Sequence, residues 1–276
     1  MTDGIKLISW NMAGSDKAWR LLVESDADIA LVQEARKPPP EVAERVTVNP
    51  GRWRTGGGLN RHWRTAIAVL SDRVAVTMLE TTPLESARHG DLPVSQQGTL
   101  AVAQVMPASG EAFVIASVYA PWEKQHGSTG TPRIYADASA HRLISDLSAL
   151  IGRHGAPPAL VAGDLNILYG YGERGSAYWR ERYATVFQRM SALGLHFVGP
   201  QAPAGWQAQP WPEELPTTSK NVPTYYTNRQ TPATARRQLD FVFASAPLVD
   251  RVSVTALNDP ETWGPSDHCR IEIRLR

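Results

Sequence analysis

Four short polar clusters stand where predicted strands end, and they contain carboxylate, amide and imidazole groups that can bind a metal ion. They are Trp10-Asn11, Gln33-Glu34, Gly163-Asp164-Leu165-Asn166 and Ser266-Asp267-His268. Carboxylate, amide and imidazole groups on separate strand ends can converge on one rim of a sheet. Oxygen-rich clusters suit a hard divalent cation, and Mg²⁺ is usually held by one or two carboxylates together with water and substrate phosphate. The sequence therefore predicts a divalent-metal site to which Glu34, Asp164 and Asp267 supply carboxylates.

Apolar runs of strand length predict the elements that must position these clusters. They span residues 5–10, 29–32, 65–70, 100–105, 112–119, 159–162, 238–244 and 270–275. Helical patterns lie between them, because two sets of apolar residues recur at helical spacing. These sets are Leu143, Ile144, Leu147, Leu150 and Ile151, and Trp179, Tyr183, Val186, Phe187, Met190 and Leu193. A shorter helix is expected over residues 17–24, after the N-cap residue Ser15.

Length and composition favour one layered α/β domain. The chain has 276 residues, of which 42% are hydrophobic and 20% charged, so it can bury one large core or two modest ones. This composition excludes disordered and fibrous proteins. Strands that alternate with amphipathic helices predict a layered α/β architecture. The sequence has no internal repeat and its Pro- and Gly-rich stretches are scattered, so we expect a single domain over residues 1–276.

Several classes of protein are disfavoured by simple features of the sequence. No stretch approaches the ~20 apolar residues that span a bilayer, and the N-terminus has no signal-peptide pattern, so we expect a cytoplasmic protein without membrane contact. Cys269 is the single cysteine, which excludes an internal disulfide and multi-cysteine zinc sites. The net charge of +1 means that any polyanion must be held by a local basic patch. We expect a monomer.

Six motifs follow one another along nearly the whole chain. They are Ile8-Ser9-Trp10-Asn11-Met12-Ala13-Gly14, Leu31-Val32-Gln33-Glu34, Ser117-Val118-Tyr119-Ala120-Pro121, Gly163-Asp164-Leu165-Asn166, Gln238-Leu239-Asp240-Phe241-Val242-Phe243 and Ser266-Asp267-His268. Any one of them arises by chance in many proteins. All six in this order resemble the successive signatures of the endonuclease/exonuclease/phosphatase superfamily. The resemblance implies a four-layer α/β sandwich, in which two mixed sheets pack face to face with helices outside.

The resemblance also implies a metal site and a reaction. Water would attack a phosphodiester in line, assisted by Mg²⁺ or by Mn²⁺ in its place. Glu34 would be the principal metal ligand, with Asn11 and Asp267 completing or supporting the site. Without the resemblance, Glu34 would be interpreted as a solvated carboxylate at a strand end and Asn11 as a turn-forming residue.

The resemblance assigns the remaining motif residues to the reacting phosphate and water. Asp164 would activate or orient the water, and Asn166 would hold both Asp164 and the scissile phosphate. His268 would contact that phosphate, with Asp240 accepting a hydrogen bond from its other ring nitrogen. Tyr119 would contribute a phosphate-contacting hydroxyl. The alternative interpretation of Asp164 and Asn166 is an Asx turn after a buried strand.

Two details bear on the branch of the superfamily. Tyr119 stands where members similar to deoxyribonuclease I, sphingomyelinase and inositol phosphatases usually have a histidine, which favours the exonuclease III and abasic-site endonuclease branch. Against this, residues 11–14 lack the acidic residue that many members of that branch have just before the glycine, so a second metal is in doubt. DNA is the preferred substrate. A phosphatase or small-molecule phosphodiesterase, and a catalytically silent binding member, are the alternatives.

The substrate-binding signal is concentrated in residues 51–64, which include four arginines, two tryptophans and no acid. Arginines that alternate with tryptophans in this way can bind backbone phosphates and stack on bases. The alternative is a glycine-tipped hairpin with solvated arginines and with tryptophans that cover a sheet edge. The candidate substrate-binding residues are Arg52, Trp53, Arg61, Trp63, Tyr225 and Arg229. Residues 169–174 directly follow the Asp164 motif and are expected to overhang the site.

Overall fold

Near-continuous apolar runs, such as Phe113–Tyr119, form strands that are buried on both faces. The computed structural model describes residues 4–56, 61–108, 110–122, 136–151 and 155–276. Its strands are β1 (Ile5–Asn11), β2 (Ile29–Ala35), β3 (Thr47–Val48), β4 (Arg64–Val69), β5 (Ala75–Leu79), β6 (Thr81–Pro83), β7 (Leu92–Val94), β8 (Leu100–Met106), β9 (Phe113–Tyr119), β10 (Ala159–Asp164), β11 (Leu195–Gly199), β12 (Asp240–Ser245), β13 (Val252–Leu257) and β14 (Arg270–Leu275). Its α-helices are α1 (Asp16–Val23), α2 (Pro40–Ala43), α3 (Ala136–Ile151), α4 (Ala177–Ala192) and α5 (Ala246–Val249).

Most of the strands form two six-stranded mixed sheets. Sheet I has the order β13-β14-β1-β2-β4-β3, and sheet II has the order β11-β12-β10-β9-β8-β5. In sheet I, β1 is parallel to β2 and antiparallel to β14. In sheet II, β10 is parallel to β9 and antiparallel to β12. The two sheets therefore have the same arrangement at their centres, a parallel pair flanked by an antiparallel strand. The short strands β6 and β7 pair separately.

Three apolar clusters separate four layers, because each sheet buries both faces. The cluster between the sheets includes Leu7, Ile29, Leu31 and Ile67 of sheet I and Ile115, Leu160, Ala162 and Val242 of sheet II. The outer face of sheet I packs against α1 through Ile8, Trp10, Ala30, Ala18, Trp19 and Leu22. The outer face of sheet II packs against α3 and α4 through Val161, Phe243, Leu143, Leu147, Tyr183 and Val186. The predicted four-layer sandwich with helices outside is confirmed.

The observed strands and helices match those predicted from the sequence where their residues are strongly buried. All eight predicted strands are present with slightly shifted ends, and β2 and β10 continue through the polar residues that follow their apolar runs. The Ser15 hydroxyl accepts a hydrogen bond from the Ala18 amide at 3.3 Å, which begins α1 as predicted. The patterns did not reveal β3, β5, β6, β7, β11 and β13. These strands are short or lie at sheet edges, so their apolar alternation is weak. No α-helix in the described ranges is long and apolar enough to cross a membrane.

Gly163 lies where two neighbouring strands of sheet II come closest. A Cβ atom at this position would lie 1.9 Å from the Val118 carbonyl oxygen of β9. Only glycine lets β10 approach β9 in this way without a shift of the backbone. Gly163 directly precedes Asp164, so the close approach also sets the position of that carboxylate.

We therefore expect Gly163→Ala to lower the free energy of unfolding by about 3 kcal/mol, the upper end of the range for overpacking. Gly170→Ala is the matched control, because Gly170 has a φ of +81° but a Cβ there meets no described atom within 4 Å. Its cost should be about 1 kcal/mol, from backbone strain alone. Urea unfolding measures both values, and equal losses would contradict the close-approach explanation.

Candidate active site

Strand register brings the polar motifs of each sheet to the same edge. In sheet II, Asp164 at the end of β10 pairs with Tyr119 of β9 and with Asp240 of β12. In sheet I, Asn11 at the end of β1 pairs with Gln33 of β2. The antiparallel strand β14 begins beside the end of β1, so residues 266–268 reach this edge as well. The direction of each strand therefore determines which motifs meet at this edge, and their separation along the chain does not.

Alternation turns most of these side chains into the space between the sheets. Side chains two residues apart share a face, so the apolar inter-sheet positions of β1, β2 and β9 are followed by polar ones. Gln33 Nε2 donates to Ser117 Oγ at 3.0 Å, and Ser117 Oγ donates to the Val32 carbonyl at 3.1 Å. These bonds replace the apolar core with a polar contact between the two sheets at the functional edge.

Glu34 reaches the same space through a bulge in β2. Strict alternation would place it on the face opposite Gln33, but the register shifts between Val32 and Ala35. Glu34 has a φ of 47°, an uncommon left-handed conformation for a residue other than glycine. Its Oε1 consequently accepts a hydrogen bond from the Tyr119 hydroxyl at 2.5 Å. Burial raises the pKa of the Glu34 carboxyl, and the bond from Tyr119 opposes this shift.

Asp164 is held by amides from both sheets. Its Oδ1 accepts from the Asn166 backbone N–H at 2.8 Å, and its Oδ2 accepts from Asn166 Nδ2 and Asn11 Nδ2 at 2.9 Å each. Asn166 has a φ of 51°, which allows both of its bonds to the same carboxylate. Asn11 Oδ1 accepts from the Ala13 N–H at 3.0 Å, so the amide orientation is fixed at both ends. Burial raises the pKa of Asp164 to about 7.

His268 forms a buried pair with Asp240. Its Nδ1 lies 2.8 Å from Asp240 Oδ2, and its Nε2 lies 3.9 Å from Asp164 Oδ2. The ring also packs against Tyr225, with centroids 4.8 Å apart. Burial lowers the pKa of His268, but the carboxylates of Asp240 and Asp164 outweigh that effect and raise the pKa to about 10. Asp240 therefore orients the ring so that Nε2 points towards Asp164.

These groups share one cavity of about 320 Å³. Seven of the eight predicted catalytic and metal-binding residues line it, namely Asn11, Glu34, Tyr119, Asp164, Asn166, Asp267 and His268. The eighth, Asp240, stands behind His268 and is buried. Two of the candidate substrate-binding residues, Arg61 and Tyr225, also line the cavity. The sequence motifs thus converge in space, while the roles assigned to them remain predictions.

The other four candidate substrate-binding residues lie outside this cavity. Trp53 is half-buried, and the Arg64 guanidinium covers its ring at 4.4 Å. Trp63 is half-buried, with the Arg61 guanidinium 4.7 Å from its ring centre. Arg229 is exposed, and Arg52 is exposed at a different cavity. Part of the 51–64 segment, residues 57–60, lies outside the described residues.

An ion pair on the cavity wall was not predicted. Arg237 Nη2 lies 2.8 Å from Glu173 Oε2, and both residues line the cavity. Glu173 belongs to the segment that was expected to overhang the site. Arg237 immediately precedes the motif that contains Asp240, and its backbone pairs with Tyr225. The position of Arg237 next to that motif was the available sequence signal. Its pairing with Tyr225 depends on how the loop that carries Tyr225 folds.

The donor set fits a hard divalent cation on the Glu34 side of the cavity. Glu34 and Asp267 line the same cavity, and the nearby charge of Asp267 contributes to raising the pKa of Glu34. A divalent cation would neutralise these like charges, and Asn11 offers a further oxygen. Asp164, Asp240 and His268 also have ligand atoms within 4.8 Å of one another. That second group fits less well, since Asp240 is engaged by His268 and Asp164 by two asparagines.

Comparison with known families decides the classification. The model of the Endonuclease/Exonuclease/phosphatase family matches residues 8–268, nearly the whole chain. The chain belongs to the endonuclease/exonuclease/phosphatase family. As a member it is a hydrolase of phosphoric esters, and the family generally depends on divalent metal ions. No curated protein sequence matches the chain significantly.

Two solved structures share the fold of this endonuclease/exonuclease/phosphatase member. One is the endonuclease domain of TRAS1, a telomere-specific non-LTR retrotransposon, with 16% identity, a TM-score of 0.59 and coverage of 99% of this chain and 98% of that chain. The other is the AP endonuclease LMAP from Leishmania major, with 15% identity, a TM-score of 0.62 and coverage of 100% and 88% respectively. At these identities the likeness establishes the fold alone.

Hydrolysis of a phosphoric ester should depend on the His268–Asp240 pair. We expect His268→Ala to lower kcat by about 10²–10⁴-fold, the usual contribution of a group that transfers a proton or stabilises charge on the reacting oxygens. Asp240→Asn should cause a smaller loss, because it removes the charge that favours the protonated ring but keeps the shape of the side chain. His196→Ala, at an exposed position of β11, is the control. Normal turnover by His268→Ala would refute this role.

Proposed function

We propose that the chain is a Mg²⁺-dependent phosphodiesterase that hydrolyses DNA, with residues 1–276 forming one catalytic domain. The observation that carries the proposal is the meeting of Glu34, Asp164 and His268, which come from both sheets, on one cavity. An oriented carboxylate, a paired histidine and an oxygen-rich metal site are the groups that hydrolysis of a phosphate ester by water requires. Because neither sheet supplies all three, the complete sandwich is the catalytic unit.

Asp164 positions the attacking water and accepts its proton. Three hydrogen bonds from Asn11 and Asn166 hold this carboxylate, so it has little freedom to turn away from the water. Because the orientation of the carboxylate is fixed, the water that it binds is already placed to attack the phosphate. Asn166 also contacts the scissile phosphate, and Tyr119 supplies a hydroxyl beside Glu34.

His268 stabilises the charge that develops on the phosphate oxygens. Its Nδ1–H donates to Asp240, which leaves the Nε2–H directed into the cavity for a phosphate oxygen. Asp240 compensates the positive charge of the ring at a buried position. The histidine is therefore already oriented before substrate binds, and this preorganisation is the main source of electrostatic catalysis.

Glu34 and Asp267 would hold Mg²⁺, with Asn11 supporting the site and Mn²⁺ able to replace the ion. When bound, the ion would neutralise phosphate charge and assist departure of the leaving oxygen. The chain contributes the carboxylates and fixes their orientation through the bulge at Glu34 and its bond to Tyr119.

DNA is the substrate that we favour. The names of the two similar structures describe endonucleases, and Tyr119 favours the exonuclease III and abasic-site endonuclease branch. Arg61 lies on the cavity wall, and Tyr225 beside His268 offers an aromatic face. Labelled single-stranded, double-stranded and abasic DNA, RNA and a small phosphodiester, each with Mg²⁺, test the assignment. Cleavage of the small ester alone would favour a small-molecule phosphodiesterase, and no cleavage of any substrate would favour a silent member.

Loss of the Glu34 carboxylate should weaken metal binding itself. We expect Glu34→Gln to lower Mn²⁺ affinity by at least about 10-fold, since even residues behind the ligands change affinity by that factor. Calorimetric titration of the metal gives a readout that does not require turnover. Glu41→Gln, at an exposed position, is the control. Excess chelator should abolish hydrolysis, and full turnover in chelator would disprove the metal dependence.

Substitutions at Asp164 should affect the chemical step more than substrate binding. We expect Asp164→Asn and Asn166→Ala to lower kcat, with little change in KM, because both residues act on the water and the reacting phosphate. Asn228→Ala, at an exposed position, is the control for loss of an asparagine. Steady-state kinetics on one oligonucleotide separate the two parameters. A change confined to KM would reassign both residues to substrate binding.

A further inference from the structure

A second cavity, of about 370 Å³, shares no lining residue with the active-site cavity in the part of the chain that the structure describes. Three arginines line it, Arg52, Arg54 and Arg64. Among the described residues that line it, Glu80 is the single acid, and it is exposed. The cavity is therefore positively charged, although the chain as a whole is nearly neutral.

Arg64 is the buried member of this group. The residue is 5% exposed, at the first position of β4. Its Nη1 donates to the Pro50 carbonyl at 3.0 Å and its Nη2 donates to the Asn49 carbonyl. The guanidinium stacks on the ring of Trp53. These contacts fix the guanidinium plane but supply no negative charge to balance it.

The charge of Arg64 has no acidic partner in the described part of the chain. It forms no ion pair there, and its Nε finds no hydrogen-bond acceptor. Burial alone lowers its pKa to about 10, with no opposing contribution from a carboxylate. A buried charge without a partner is costly, and proteins usually compensate it with a counter-ion. The geometry thus leaves a positive charge without a counter-ion in the wall of the cavity.

We propose that this cavity binds a phosphate group. Arg64 contributes a fixed positive charge to the wall of the cavity, and the exposed arginines at 52 and 54 supply guanidinium N–H donors where the group would enter. A carboxylate offers fewer oxygens to three arginines, so phosphate fits the charge better. The site is distinct from the scissile position, because it includes neither Glu34, Asp164 nor His268.

The position of the cavity indicates which phosphate it would hold. Arg64 pairs across the sheet with Ala35, the residue after Glu34, and such partners lie about 5 Å apart. The Thr55 N–H donates to the Arg61 carbonyl, which ties the segment bearing Arg52 and Arg54 to a residue of the active-site cavity. A nucleic-acid strand crossing the active site would therefore place a neighbouring backbone phosphate at the second cavity. This last assignment rests on the proposed nuclease function, whereas phosphate binding itself does not.

Titration of inorganic phosphate into the full chain tests the site directly. Calorimetry in excess chelator and at constant ionic strength should detect binding. The Arg52→Gln/Arg54→Gln variant should lose affinity by about 10-fold or more, as expected when charge-assisted contacts are removed. Arg189→Gln, exposed on α4, is the matched control and should bind as the unaltered chain does. Arg64→Met should abolish binding, and circular dichroism checks that it folds.

Two results would overturn the phosphate site. One is the absence of phosphate binding to the unaltered chain. The other is an affinity that falls in His268→Ala but not in the arginine variant, which would place the phosphate in the active-site cavity.

Binding of an oligonucleotide tests the backbone assignment separately. The double arginine variant should reduce the slope of log affinity against log salt by about one unit, as expected for one lost phosphate contact. An unchanged slope with impaired binding of inorganic phosphate would overturn the backbone assignment and leave a site for free phosphate. A chain that binds phosphate but cleaves no nucleic acid would instead refute the proposed function.

Discussion

The hydrogen bond from Asn11 Nδ2 to Asp164 Oδ2 joins the two sheets at the functional edge. Both residues are buried, so each polar group must find its partner within the protein. The bond is satisfied only when sheet I and sheet II lie in one relative position, to within the tolerance of hydrogen-bond geometry. Gln33 with Ser117, and Glu34 with Tyr119, repeat this requirement beside it. The packing of the two sheets therefore also fixes the geometry of the site.

The site is assembled at some cost in backbone strain. Glu34 and Asn166 both adopt left-handed conformations that residues other than glycine rarely occupy. In each case the strain turns a side chain towards a group of the site, Tyr119 for Glu34 and Asp164 for Asn166. The surrounding sandwich, with three apolar clusters, supplies the stability that keeps these conformations populated.

The sequence predicted a layered α/β fold because strand and helix periodicity is a local property, and it predicted the motif residues through their order along the chain and the family resemblance. It did not predict the bulge at Glu34, since strict alternation would turn that side chain to the other face of sheet I. It also did not separate the arginines of residues 51–64. Arg64 is buried against Trp53 while Arg52 remains exposed, and that difference depends on how residues 49–53 fold back over the start of β4.

The distribution of charge would allow a nearly neutral chain to bind the polyanion that we propose as its substrate. The net charge is +1, yet arginines line both cavities. Arg237 is paired with Glu173, which holds its guanidinium in place and reduces its field. Arg64 is fixed instead by backbone carbonyls and an aromatic ring, and neither of these neutralises its charge. A low-dielectric wall strengthens such a charge, so a few well-placed arginines replace a broadly basic surface.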